Sequence, residues 1–206
     1  MTTMRSDGRR RVIIEGITPQ VDCGRFAAKR TVGDQVHVEA DIFTDGHDAI
    51  AASLLAHREG SDEWTEIPMK PLVNDRWEAA FRVSDLGRYG YKILAWVDHF
   101  ETWRRDLLKR ITAESDAIVD YLIGAELVKQ AADRALGGDQ KWLRERAAVL
   151  QSGRASSELR IHATDPILLE LALRYPDKRF ATESAPELTI VVDPVRARFS
   201  SWYEFF

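Results

Sequence analysis

Apolar and polar residues alternate most cleanly between Gln35 and Phe43. Val36, Val38, Ala40 and Ile42 fall on one face, and His37, Glu39 and Asp41 on the other. A period of two predicts a strand with one buried face. Arg11–Ile17 is short and β-branched and reads as an earlier strand, ended by Thr18-Pro19. Gly24–Lys29 reads as an extended edge strand. Ile50–His57 and Trp64–Ile67 follow as strands, with Asp45-Gly46 and Glu59–Asp62 as turn and loop. Trp77, Ala79, Phe81 and Val83 alternate again, and Tyr89–Val97 is one more strand, apolar on both faces. Strands at roughly 8–12-residue spacing with turns between them predict an antiparallel sandwich.

The period changes after about residue 103. Ile118, Tyr121, Leu122, Ala125, Val128, Ala132 and Leu136 recur at three and four residues, the stripe of one helix face. Gly137-Gly138 reads as its stop and Asp139 as the N-cap of a second helix carrying Leu143, Ala147 and Leu150. Ser156 or Ser157 caps a short third helix. Asp165-Pro166 starts a fourth, with Ile167, Leu168, Leu171 and Ala172 as its face. Glu187–Asp193 then returns to a β-branched strand. Its backbone groups need partners, and the N-terminal strands supply the sheet. The expected fold is α+β: an Ig-like antiparallel β-sandwich with an inserted α-helical bundle. The expected segments are a disordered lead over 1–10, the sandwich over 11–105 with 184–199, and the bundle over 106–183. The aromatic run through Trp202, Tyr203, Phe205 and Phe206 reads as the start of a further, missing domain over 200–206.

Asp85-Leu86-Gly87-Arg88-Tyr89 carries the spacing of a tyrosine corner, a feature of Ig-like sandwiches in which a Tyr hydroxyl ties back to upstream backbone.

Composition narrows the partners. The net charge of −4 over 206 residues argues against nucleic acid. No apolar run approaches a membrane span, and the polar, basic start has no secretory pattern. Cys23 is the one cysteine, so no intrachain disulfide forms and a cytoplasmic setting is expected. Arginine outnumbers lysine 22 to 7, which fits GC-rich coding better than anion or sugar recognition.

Phosphate-loop, dinucleotide, zinc-protease and nucleophile-elbow motifs are missing. The histidines are scattered, and Asp45-Gly46-His47-Asp48 is better explained as a turn than as a metal loop. No metal, cofactor or catalytic residue is expected. One cluster stands out at the exit of the last early strand: Trp96, His99 and Trp103, with Phe100, Arg104 and Arg105 beside them. Packing of Trp96 under the helices is the plain reading. The alternatives are a sugar-stacking platform with guanidinium forks, and a protein interface rich in Trp and Arg. The candidate carbohydrate or interface residues are therefore Trp96, His99, Trp103 and Arg104.

Taken together, Arg11–Val21, Gly24–Arg30, Val38–Phe43 with Asp45-Gly46-His47, Gly87-Arg88-Tyr89, Ala95–Asp98, Thr102–Leu107, Val191–Asp193 and Ala197–Glu204 resemble the start of bacterial maltose-1-phosphate maltosyltransferases. The resemblance runs over about residues 11–206 and is weakest through 130–185. It implies an α-amylase-like parent that transfers maltosyl units from α-maltose 1-phosphate to α-1,4-glucan with retention. It implies a β-sandwich with an inserted helical bundle, both contributing to a homodimer through the bundle and a sandwich edge. The catalytic Asp and Glu would belong to a barrel of about 250 residues, so no catalytic residue is carried over and this chain alone is expected to be inactive. The role expected is dimerisation and support of that barrel, with α-glucan met indirectly. The competing reading is an autonomous carbohydrate-binding module.

Overall fold

A computed structural model describes residues 8–199. The expectations placed on 1–7 and 200–206 lie outside the described residues. The elements run β1 (Val12–Thr18), β2 (Ala28–Thr31), β3 (Gln35–Thr44), β4 (Ile50–Arg58), β5 (Thr65–Pro68), β6 (Lys70–Pro71), β7 (Arg76–Arg82) and β8 (Gly87–Val97). Five helices follow: α1 (His99–Thr112), α2 (Ile118–Arg134), α3 (Gly137–Leu150), α4 (Ser156–Ala163) and α5 (Pro166–Arg174). Strands β9 (Thr182–Glu183) and β10 (Leu188–Asp193) close the order, and the fold class is α+β. The chain divides into two compact units. One takes in Ile50–Val97 with the described residues up to Gly46 and from Phe180; the other takes in His47–Ala49 and Asp98–Arg179.

In the first unit, β1-β3-β7-β6 form one sheet and β2-β10-β8-β4-β5 the other, with β9 on β8. The alternation in β3 is realised fully: Val36, Val38, Ala40 and Ile42 have no exposure, while His37 is exposed. Val36, Val38, Ile42, Trp77, Phe81, Tyr89 and Ile93 share one buried cluster drawn from both sheets. The return strand pairs as its backbone required, antiparallel to β8 from Leu188↔Tyr91 and parallel to β2 from Ile190↔Ala28. That parallel pairing departs from the all-antiparallel expectation. So does the path before it. Asp22, Cys23 and Gly24 all have positive φ, so the chain turns there and the strand begins only at Ala28.

At the β1 edge the register shifts between Glu15 and Thr18. Gly16 sits at φ 57, and a Cβ there would lie 2.5 Å from an Asp41 carboxylate oxygen. That space admits Arg76, which donates to Glu39 at 3.0 Å, to Asp41 at 3.1 Å and to the Gly16 carbonyl at 3.0 Å. One guanidinium thus ties three strands. The tyrosine spacing also has its bond: the Asp85 N–H donates to the Tyr89 hydroxyl at 3.1 Å.

The helical unit begins earlier than the periodicity suggested. Asp98 caps α1, accepting from the Glu101 N–H at 2.9 Å, so His99 and Trp103 belong to a helix. The stripe on α2 is rotated from the expected one. Tyr121, Ala125, Val128 and Ala132 are buried with Gly124 and Ala131, whereas Ile118, Leu122 and Leu136 are exposed. Gly137-Gly138 does not stop α2; both lie in the first turn of α3, whose N-cap is Leu136. Asp139 is inside that turn, held by the Tyr175 hydroxyl at 2.9 Å and by Arg174 at 2.8 Å. Ala155 rather than a serine precedes α4. Asp165 does cap α5, accepting from Ile167 N–H at 2.9 Å, with Pro166 at the first position.

Candidate functional site

Two helix faces meet along α1 and α2 and leave a groove of about 320 Å³, lined by His99, Thr102, Trp103, Asp106, Ile123 and Leu127 among others. Its floor is built by one close packing. Gly124 has no side chain, and a Cβ there would lie 2.0 Å from the Trp103 ring. The indole occupies that gap and donates to the Asp120 carbonyl at 2.7 Å. Asp120 is 3% exposed in its side chain and takes its charge partner from Arg110. Its other oxygen accepts from the Ala117 N–H at 2.9 Å, securing the first turn of α2.

The loop between β3 and β4 is tied to α1. Ala49 N–H donates to the Thr102 hydroxyl at 2.8 Å, and Arg105 donates to the His47 carbonyl at 2.8 Å. His47 therefore serves its unit through its backbone. Asp45, in the sheet unit, is engaged by Arg11 at 2.8 Å.

The candidate residues fall on both units. Trp96 lies on β8 opposite Ala51 and is buried. His99 is exposed at the start of α1, and Trp103 is buried beside Phe100 with ring centroids 5.4 Å apart. Arg104 is half-buried, and its Nη1 donates to both Glu101 carboxylate oxygens at 3.2 Å. The structure thus brings His99 and Trp103 to one groove. Both tryptophans are buried, whereas His99 and Ile123 are exposed. The groove's outer wall is apolar, with a guanidinium and carboxylates at its rim.

Sequence reading missed the second polar anchor of this unit. Asp116 precedes α2, its side chain has no exposure, and it accepts from Arg160 of α4 and from the Tyr121 hydroxyl. The Arg160 bonds, then the Tyr121 bond, hold its pKa at about 2. Burial and the neighbouring Asp116 push the Tyr121 phenol up to about 12. The only trace in the sequence is acidic residues just before and inside the first turn of an apolar helix. Among the described residues, no three His, Cys, Asp or Glu side chains group as a metal ion would require. No helix among them is long and apolar enough to cross a membrane.

Comparison with known proteins meets this architecture over nearly its whole length. The family model described as alpha-1,4-glucan:maltose-1-phosphate maltosyltransferase, domain N/S, matches residues 10–194. A protein of that name from Chlorobaculum tepidum is 42% identical over 200 residues, covering 97% of this chain and 30% of its own. Relatives of the same name from Methylacidiphilum infernorum and Myxococcus xanthus are each 39% identical, covering 97% and 95% of this chain and 30% of theirs. The chain thus spans about 30% of the length of the curated relatives it matches, at their N-terminal region. With the match reaching from before β1 to the end of β10, the chain belongs to the domain N/S family of alpha-1,4-glucan:maltose-1-phosphate maltosyltransferase.

Proposed function

We propose that this chain is the non-catalytic N-terminal part of an enzyme that extends α-1,4-glucan with maltosyl units from α-maltose 1-phosphate. In this reading its architecture is an Ig-like sandwich carrying the helices as an insertion. It works in the cytoplasm, supports a catalytic barrel supplied by the rest of the protein, and self-associates through the helical unit. The observation that carries the reading is the family match over residues 10–194 in a chain that spans 30% of its relatives. The bond of Tyr89 to Asp85 and the core common to both sheets support the Ig-like description. Self-association is supported by Ile118, Val119, Leu122 and Ile123, all exposed in the first two turns of α2, since contiguous apolar surface marks interfaces.

Phosphate release from α-maltose 1-phosphate with glycogen as acceptor tests the non-catalytic role. The chain alone should release none; turnover that survives repurification overturns the role. Light scattering at high micromolar concentration tests association, and a strictly monomeric species overturns that part.

A further inference from the structure

Between β5 and β6 the chain changes sheets. Strand β5 pairs with β4, and the Met69 N–H donates to the Ala52 carbonyl at 2.8 Å as the last rung. Strand β6 then joins the other sheet, antiparallel to β7, but meets it only at Trp77 and Glu78. Continued backward, that register would set Pro68 against Ala80 and Glu66 against Arg82, yet both residues pair with β4 instead. The outer edge of β7 is left open beyond Glu78. The Arg76 carbonyl accepts from Leu72 on that side, whereas Val83 bonds Gly33 and Asp34 on the β3 side. Strand alternation therefore turns the N–H and C=O groups of Ala80 and Arg82 outward, and no backbone group among the described residues bonds them there.

These edge groups border a cleft of about 480 Å³ that opens to solvent within the sheet unit. Ala56, Ile67 and Phe81 supply its apolar surface. Its charged groups are of both signs, His57, Arg58 and Arg82 against Glu63 and Asp85. His57 bonds the Ser61 carbonyl at 3.1 Å and Glu187 at 3.0 Å. Arg58 donates to the Leu86 carbonyl at 3.1 Å and stands 3.9 Å from Asp85. Arg82 and Glu63 are exposed, and their charged ends have no partner among the described residues. Of these two, Arg82 stands on the open edge itself, while Glu63 lies across the cleft in the loop before β5.

We infer that the cleft receives an extended segment of a partner polypeptide, which adds to β7 as an antiparallel strand with a carboxylate opposite Arg82 and an apolar side chain opposite Phe81. Free donors and acceptors repeating every second residue are the pattern that another strand's backbone satisfies. Residues opposite Ala80 and Arg82 would each exchange two bonds with the edge. Arg82 is exposed and Phe81 buried, so they point to opposite faces. Directly opposed residues share a face. The partner's carboxylate therefore meets Arg82 outside, and its apolar side chain meets Phe81 and Ile67 within. Glu66-Ile67-Pro68 has the same acid-then-apolar order in the line that β5 vacates. A free anion would also face Glu63 and Asp85, whereas a strand holds its carboxylate at one position on the edge. A second copy of this chain fits less well, because pairing the two β7 edges would bring like charges at Arg82 together.

Calorimetric titration of the chain with the blocked hexapeptide Gly-Ser-Glu-Val-Thr-Ser, its Glu set opposite Arg82, tests this. The peptide should bind saturably and slow amide hydrogen exchange at Ala80 and Arg82. Methylating the peptide nitrogens of Glu and Thr, which face β7, should abolish binding. Methylating that of Val, which faces away, should leave it intact. Arg82→Glu changes an exposed side chain and should leave the melting temperature unchanged. It should weaken the peptide about tenfold or more, the loss expected for one hydrogen bond to a charged group, and favour the peptide carrying Lys in place of Glu. No saturable binding, or equal binding of the methylated forms, overturns strand addition. Undiminished binding to folded Arg82→Glu overturns the register. Displacement by inorganic phosphate overturns the peptide in favour of an anion site, and a dimer dissolved by Arg82→Glu alone overturns it in favour of a second copy.

Discussion

Both ring nitrogens of His57 face acceptors: the Ser61 carbonyl and the Glu187 carboxylate. Only the imidazolium satisfies both. Partial burial opposes that charge, but the Glu187 and Ser61 bonds outweigh it, and the pKa is raised above 6.5. A neighbouring cation, Lys92, lies over the far partner of the stack, Trp64. A raised folded-state pKa contributes stability that is fully present below pH 6.5 and is lost as pH rises through the folded value. Thermal melts should therefore fall across that window in the native chain and stay flatter in His57→Asn; parallel curves would refute the assignment. Asp116 has the opposite sign. Its depressed pKa contributes stability above the ordinary carboxylate range, lost as pH falls toward about 2. Asp116→Asn should cost about 2–3 kcal/mol at neutral pH in denaturant titration, the scale of hydrogen bonds to charged groups. None of these partners was legible in the sequence. His57 and Glu187, and Asp116 and Arg160, lie far apart in the chain, and only the fold brings them together.

Among elements, strands were the most legible. A period of two leaves little freedom in which face is buried, so β3, β7 and β8 placed Val36, Phe81 and Ile93 correctly in one core. Phe81→Ala should accordingly cost about 3–5 kcal/mol, measured by urea unfolding; a loss below 1 kcal/mol would mean the ring is not a core member. Helix faces were less legible. On α2 the apolar residues circle more than one stripe, so periodicity alone could not choose between Ile118–Leu122 and Gly124–Val128–Ala131. The choice was made by Trp103, which needs Gly124 as its seat. Strand β6 and helix α1 were missed for related reasons. Two residues are too short to show a period, and the aromatic content of α1 resembles a strand exit as much as a helix. The groove was half-visible: His99 and Trp103 were singled out, but Asp120 and Ile123, its other wall, lie within the helix whose face was misread.

At the scale of the molecule, the exposed α2 residues separate two kinds of apolar surface. Val128 and Tyr121 hold the helical unit together, so replacing them would unfold it and reveal nothing about association. Leu122 is 44% exposed and lies outside that core cluster. A charge there costs little to the fold, because it stays solvated, but would be desolvated in any interface centred on the patch. Leu122→Glu should leave the melting temperature within a few degrees of the native value while shifting the chain from dimer toward monomer. Combining it with Ile118→Glu should complete the shift, since the two side chains lie one turn apart on the same edge. Light scattering across a concentration series reads this directly. A dimer equally strong in the folded double variant would move the interface away from α2, and the apolar residues there would need another partner.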